Sequence, residues 1–600
     1  MKGAGSEVAT VLEDAAKKLA PALAEDFSGA YKKVLHDTKN GLESSAKRVT
    51  DNESTLSKGF SDVKPQDAPS KVRGGSGSDV PHGKTPGANP EKVPLNDVGH
   101  PHTESTPAGE RPSGGDPVDL VTGEMFLVQG DLELPGVLPV LLERVHMSNY
   151  RKGQWFGRTW ASTLDQRVEV DDDGIHYAAS DGVVLHYAVP TQPGQAVLPS
   201  EGSRWPLRWD REGDTIVIEQ SELGRSLSFP PGPTPDVARP LAAVVDRNGN
   251  RVMVVHDRDG VPTDVYHSGG YHVAVESHVT SAGIRIGGLL LVDPRSGERT
   301  RLVSFGYDAR GRLTDTVNSS GQPLVFEYDG EDRITAWSDR NGHRYEYHFD
   351  ASGRVTRTDG LGGFLAATFD YDLDNRITTF TDSLGNTTLH HWNERNQIIK
   401  VVDARGGETV TELDRYGRLL STTDPLGRTV HVRRDEFGDP ARVERADGAV
   451  LDFVYTGAEI RPTRLTGPQG VWDYVYDERG NVSALADPSG AVTSYEYGER
   501  GDLTSVTDPL GAVVRYRNDK AGLPIAVIAP SGAETAIERD AFGRIIGGHR
   551  PARRGNALRL DGGRQSGLED DAGRQPRGMG VRRRRQRGRA SGIAWRRNPV

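Results

Sequence analysis

Cysteine is absent from the 600-residue chain, which excludes disulfide scaffolds, thiolate metal sites and cysteine nucleophiles. No run of about 18 apolar residues occurs, so no membrane-spanning helix is expected. The start mixes Glu and Lys and lacks the apolar stretch of a cleaved secretory leader, so none is expected. Residues 65–115 have almost no large apolar side chains, and no lysine occurs from residue 550 onward. What is abundant is glycine, 72 residues, with 36 prolines, the composition of a folded chain with very many turns. The formal charge is −11. The segment from Arg550 to the end carries 15 Arg and four acids. That leaves −22 on residues 1–549, which does not suggest a nucleic-acid binder.

Six segments emerge. Residues 1–64 read as helix, with Val8, Leu12, Ala15, Leu19, Leu23, Phe27 and Tyr31 at three- and four-residue steps. Too short to bury much surface alone, these helices need a partner or must pack on the rest of the chain. Residues 65–115 read as a disordered Pro/Gly-rich linker. Its His82, His100 and His102 are not expected to hold metal, because a flexible linker does not preorganise ligands. Residues 116–235 read as a β-domain of short strands between turn residues. Residues 236–304 read as a degenerate lead-in to the repeat array of 305–549. The Arg-rich tail, 550–600, with Arg582-Arg583-Arg584-Arg585 and no lysine, tyrosine or phenylalanine, reads as an aberrant, frameshifted continuation rather than a nucleic-acid-binding or toxin fragment.

The repeat is the strongest signal. Tyr307-Asp308-Ala309-Arg310-Gly311-Arg312-Leu313 recurs in twelve copies, spaced by 21 residues with a single 22 between Gly353 and Asn375. The first position is aromatic in eight copies, the second is Asp in nine and the fifth is Gly in eight. Three preferences coupled at one period exclude chance. A second turn follows about ten residues later, as at Asp424-Pro425-Leu426-Gly427, Asp487-Pro488-Ser489-Gly490 and Asp508-Pro509-Leu510-Gly511. Asp first, Pro second and Gly last suit a type I turn. One period is therefore strand, turn, strand, turn, and the array must curl or close to manage its edges.

Catalytic patterns are thin. Asp308, Asp329, Asp350, Asp372, Asp414, Asp435, Asp477, Asp519 and Asp540 sit at turns and are expected to accept backbone hydrogen bonds, not to bind calcium. The mid-array Asp-Pro pairs read as turns rather than self-cleavage sites. His390-His391 has no nucleophile at a recognisable spacing. The glycines of Gly360-Leu361-Gly362-Gly363 lack the Lys and Ser/Thr of a phosphate loop. The repeated aromatics read as inter-strand packing before a sugar-binding face. Gly480 and Gly501 are expected at positive φ. No catalytic, cofactor-binding or metal residue is assigned, no cofactor is expected, and the chain is read as not an enzyme.

Tyr-Asp-x-x-Gly-Arg-Leu at this period resembles the YD repeat of the rearrangement-hotspot (Rhs) proteins, shared with teneurins and insecticidal toxin-complex shells. The segment from Asp116-Pro117-Val118 to Gly123, with Leu134-Pro135-Gly136 and the Trp155–Trp160 cluster, is similar to the β-domain of unknown function that often precedes bacterial Rhs repeats. The stretch from Tyr31 to Leu42 resembles the second half of a WxG-type secretion hairpin, without its Trp-x-Gly turn. The resemblance implies a mainly β fold, a YD-repeat array curling into a cocoon-like shell behind a short α-helical segment. It implies the shell portion of a polymorphic toxin that encloses and delivers a C-terminal toxin, a cargo apparently missing here. The implied partners are that cargo and its immunity protein, and secretion machinery engaged by the N-terminal helices. The implied location is secreted or at the cell surface, by type VII-like export. The alternative is a secreted or surface YD-repeat protein binding carbohydrate or cell-surface partners.

Overall fold

The computed structural model describes residues 93–97, 101–232, 238–455, 461–549 and 558–559. The expected helices of 1–64, the first part of the linker and nearly all of the tail lie outside these residues. The described chain is mainly β. One large sheet runs from the strand Ala196–Val197 to the strand Leu558–Arg559, in a barrel-like order. Within the array each strand pairs antiparallel with its sequence neighbour. Three smaller sheets precede it. They are the pair Ser113–Gly114 with Val118–Asp119, the three strands Phe126–Leu134, Val140–Met147 and Trp160–Ser162, and a four-stranded sheet built on Arg167–Val170, Ile175–Ala178 and Val184–Tyr187.

The array follows the expected two-strand period. Pro323–Tyr328 and Ile334–Ser338, for example, are joined by the Tyr-Asp turn, and Arg344–Phe349 follows after the second turn. Along Val492–Tyr497 burial alternates, with Tyr495 buried and Glu496 exposed, as period-2 side chains require. In eleven of the twelve copies the register shifts by one beside the Tyr-Asp turn. Such a bulge increases local twist and favours winding over a flat sheet. The exception is the 22-residue copy. There Asp372 pairs directly with Ile377 without a shift, and the left-handed residue is Arg376 at φ 54° rather than Asn375. The extra residue lengthens the loop and replaces the bulge.

Two boundaries need correction. The linker does not extend to residue 115. Leu95 is fully buried against Ala178 and Val184, Ala108 is buried, and Arg111 forms a buried ion pair with Glu124. A few anchors suffice to order a proline-rich strap when each meets a prepared partner. The β-domain does not end at 235 either. Ala196–Val197, Leu207–Asp210, Thr215–Gln220 and Arg225–Phe229 already belong to the large sheet. Backbone pairing needs no Tyr-Asp text, so the sheet starts before the sequence period does.

Candidate functional site

The repeat is itself a device with three parts. Asp308 Oδ1 accepts from the N–H groups of Arg310 (2.9 Å) and Arg312 (3.0 Å), and Gly311 N–H closes the turn on the Asp308 carbonyl at 2.9 Å. Each of the other eight expected Asp residues accepts backbone N–H bonds in the same way, so all nine are turn caps. The following Arg completes the unit. Arg312 Nε lies 2.6 Å from Asp308 Oδ2, and its Nη1 donates to the Asp329 carbonyl of the next copy at 2.7 Å. Burial works against ionisation of Asp308. The Arg312 backbone N–H and guanidinium outweigh it and hold the carboxyl below its ordinary range.

The tyrosine does more than fill space. Its hydroxyl donates to a carbonyl about one hairpin back: Tyr328 to Leu313 (2.7 Å), Tyr371 to Val355 (2.7 Å), Tyr455 to Pro440 (3.0 Å), Tyr476 to Pro462 (2.8 Å) and Tyr497 to Val482 (2.9 Å). In three of the four copies that lack the aromatic, all but the Leu413 copy, another donor replaces it. Arg434 reaches Leu419 (3.2 Å), Asn518 reaches Leu503 (2.8 Å) and Arg539 reaches Pro524 (3.0 Å). The aromatics are thus taken up in the wall, and in nine of the twelve copies the first-position side chain donates to a backbone carbonyl earlier in the chain. Counting aromatics alone missed this.

The two turn families face different surroundings. At Gly385, Gly406, Gly427, Gly490, Gly511 and Gly532, in the second turns, an added Cβ would meet nothing, whereas at Gly480 it would run into Arg461 and at Gly501 into Asn248. One rim of the ribbon is docked and the other is free. Both glycines are left-handed, at φ 80° and 75°, as expected. The docked rim meets segments more than 200 residues earlier. Asn248 and Asn481 exchange amide hydrogen bonds at 3.2 and 3.0 Å, Asn250 Nδ2 donates to the Arg500 carbonyl at 2.8 Å, and Arg500 Nη1 donates to the Ser268 carbonyl at 2.8 Å. The sheet is therefore wound, its later turns resting on its own beginning.

The N-terminal module packs onto the early array through one apolar core. Leu127, Leu134, Val140, Phe156 and Trp160 share it with Val265, Phe305, Phe326 and Tyr347. Trp160 is fully buried, and its Nε1–H donates to the Tyr328 hydroxyl at 3.1 Å. Arg144 lies inside this core, 2.9 Å from Asp131, with its guanidinium 4.7 Å from the Trp160 ring and 5.2 Å from Phe305. Burial pushes the Asp131 carboxyl up, against the pull of Arg144. Asp116 is buried with no ion-pair partner among the described residues, and burial pushes its carboxyl up to about 7. Its carbonyl accepts from the Tyr347 hydroxyl. The sequence marks none of these as partners, because each pair is more than ten residues apart and joined only by the fold.

The remaining candidates do not converge. Asp424, Asp487 and Asp508 are turn caps. His390 contacts Thr388 Oγ1 at 2.9 Å on the strand Thr387–Trp392, Gly362 and Gly363 lie in an irregular loop at positive φ, and His82 and His100 lie outside the described residues. Among the described residues no three His, Asp or Glu side chains gather as metal ligands.

Three family models match: a domain of unknown function (DUF6531) over residues 115–187, the teneurin YD-shell over 322–455 and the RHS repeat over 476–513. Among curated relatives, the probable deoxyribonuclease RhsB of Dickeya dadantii is 28% identical over 365 residues, which are 60% of this chain and 23% of that protein. The double-stranded DNA deaminase toxin A of Burkholderia cenocepacia is 26% identical over 210 residues, 34% of this chain and 14% of that protein. The chain thus spans less than a quarter of the length of these relatives. Among solved structures, the crystal structure of TcdB2-TccC3-TEV aligns over 77% of this chain and 25% of its own, at 13% identity and a TM-score of 0.31.

Proposed function

The chain belongs to the Rhs/YD-repeat proteins of the polymorphic-toxin type, and from that premise we propose that residues 93–559 are the wall and end closure of a container for a toxic polypeptide. The contact between the buried Trp160 and Tyr328 carries this reading. A wound wall encloses a volume only if something seals it, and the N-terminal module has the apolar face and the position on the early array to do so. The deoxyribonuclease and deaminase activities in the relatives' names belong, on this reading, to regions of those proteins that this chain does not span. The chain itself is a non-enzymatic wall, and the carboxylates of the array are turn caps. Its partners are a toxin cargo, the immunity protein that neutralises it, and secretion machinery that exports the whole. A secreted location follows from that role.

The test is protection. A reporter polypeptide fused after His549 should survive a protease that destroys the free reporter. It should become sensitive when Trp160→Ala loosens the end closure. Digestion at the free rate in the unmutated fusion would contradict the container.

A further inference from the structure

The four-stranded sheet of the N-terminal module has two unlike faces. Val168, Ile175, Tyr177, Leu185 and Tyr187 point into an apolar core shared with the first strands of the large sheet. By the alternation of side chains along a strand, the other face carries Glu169, His176, Ala178, Val184 and His186. His176 and His186 are a cross-strand pair there. Their Nδ1 atoms lie 2.7 Å apart, and His176 Nε2 lies 3.0 Å from Asp171 Oδ1. His186 Nε2 is buried and has no hydrogen-bond partner among the described residues.

Residues 93–97 lie on this face. Leu95 is fully buried against Ala178 and Val184, the next cross-strand pair along. Its N–H donates to Glu169 Oε2 at 3.0 Å, and Glu169 is the neighbour of His176 on the adjoining strand. Leu95 is thus bound to a neighbour of each histidine.

The proton count of the pair decides what acid does. An ionised carboxylate only accepts, so Asp171 fixes the His176 proton on Nε2. His176 Nδ1 is then an acceptor, and His186 Nδ1–H donates to it. The remaining lone pair is on His186 Nε2. Between nitrogens 2.7 Å apart there is room for a single hydrogen, so a third proton on the pair ends on His186 Nε2 whichever ring first takes it. In the closed face that new N–H has no acceptor. The charges around the pair do not supply one. Lys152 and Glu104 are bound to each other at 2.6 Å, and Arg167 and Glu169 at 2.9 Å. Asp173 and Asp171 stand in an exposed turn, where Asp173 accepts from Asn96 at 3.4 Å and Asp171 is held by His176. Burial, helped by His176 and Lys152 and opposed by Glu104 and Asp171, pushes the His186 imidazole down to about 4.

We propose that this pair is an acid catch: a third proton, taken from solvent by the His186 Nε2 lone pair, needs water as its acceptor, and the face admits water by letting go of residues 93–97. The chain ahead of residue 93 is then held to the module at neutral pH and released in acid. With His186 held below the ordinary imidazole value of about 6.5, docking is fully favoured above that value and loses its advantage as pH falls toward 4. The catch rests on this face alone and not on the container reading.

The absence of cysteine allows a clean test. Asp97 is exposed, as is Ser489 in a second turn of the late array. Asp97→Cys or Ser489→Cys in the full chain takes a single nitroxide label, whose mobility is read at pH 7.5 and 5.0. Between these values the ratio of mobile to immobile label at position 97 should rise by about 20- to 30-fold, the factor for one imidazole moving from about 4 to about 6.5 on release. Ordinary carboxylates are still largely ionised at about pH 5. Adding His186→Gln, which keeps a donor for His176 but takes up no proton, should abolish the rise, and the label at 489 should not respond. Unchanged mobility at 97, an equal rise with His186→Gln, or an equal rise at 489 would each overturn the catch.

Discussion

The early and late halves of the array have the same period but are stabilised differently. Strands between 252 and 369 place Val265, Phe305, Phe326, Tyr347 and Phe369 against the N-terminal module in one core. Strands between 430 and 506 form a smaller cluster whose buried members, such as Phe453, Tyr474 and Tyr495, come only from neighbouring repeats. The first half is a two-layer structure with long-range burial. The second is a single layer held by capped turns, tyrosine arms and a polar rim. A repeat sequence can therefore look uniform while its stability is graded, because the partner that covers one half is written elsewhere in the chain.

The largest expected effect tests that grading. Trp160→Ala removes a fully buried ring and should cost about 3–5 kcal/mol. Hydrogen-exchange protection should fall in 305–369 and stay unchanged in 430–537. Uniform loss across both halves would merge the two regions into one cooperative unit.

Next is a Tyr-Asp turn, seated on the preceding repeat, against a second turn that meets nothing. Gly480→Val and Gly490→Val both place a β-branched side chain at positive φ, costing roughly 1–3 kcal/mol by backbone strain. Only Gly480→Val also meets Arg461. Gly480→Val should lower the melting temperature further and loosen exchange around 455–505. Equal effects would mean that the seat of Gly480 on Arg461 of the preceding repeat contributes nothing to packing.

Tyr476→Phe is smaller. It leaves the ring and removes the hydroxyl bond to the Pro462 carbonyl, for about 1 kcal/mol, read as a shift in denaturant midpoint. In the same assay Leu413→Tyr, at a copy without a donor, should cost less or stabilise.

Acid separates the regions by sign. In Asp414 burial opposes ionisation, and the Arg418 backbone N–H and side chain outweigh it, so its carboxyl is held low. Its stabilisation is present above the ordinary carboxylate value of about 4 and is lost as pH falls through the lower folded value. Asp116 is the reverse. Its carboxyl is pushed up to about 7, so the native state loses stability as pH rises from about 4 to 7. Asp116→Asn should raise the melting temperature at pH 8 and change little at pH 4. A loss at pH 8 would show that the charged carboxylate is wanted where it is.

The sequence made the array legible because its turns are local: Asp308 and Gly311 meet within four residues, and the spacing predicts their roles, while the reach of Arg312 to the next copy has no such signal. It did not show why the first position is tyrosine, since the acceptor carbonyl lies about 15 residues back, nor that Asn518 and Arg539 stand in for it. The N-terminal module was recognisable from Asp116-Pro117-Val118 and Trp155–Trp160. Its grip on the array was not, because Arg144, Asp131 and Tyr328 are joined only by tertiary packing. Order at Leu95 and Arg111 was hidden by the prolines around them, which suppress periodicity without preventing burial.

The central claim is that the sheet is wound, with the Tyr-Asp rim of the late repeats resting on the early segment. Asn248→Cys with Asn481→Cys, bridged by a short bis-maleimide, tests it most directly. The residues are 233 apart in sequence, yet their amides lie within 3.2 Å. A wound sheet gives rapid intramolecular bridging for this pair and none for Asn248→Cys with Gly490→Cys, on the free rim of the late array. Equal bridging of the two pairs, or none with either, would contradict it.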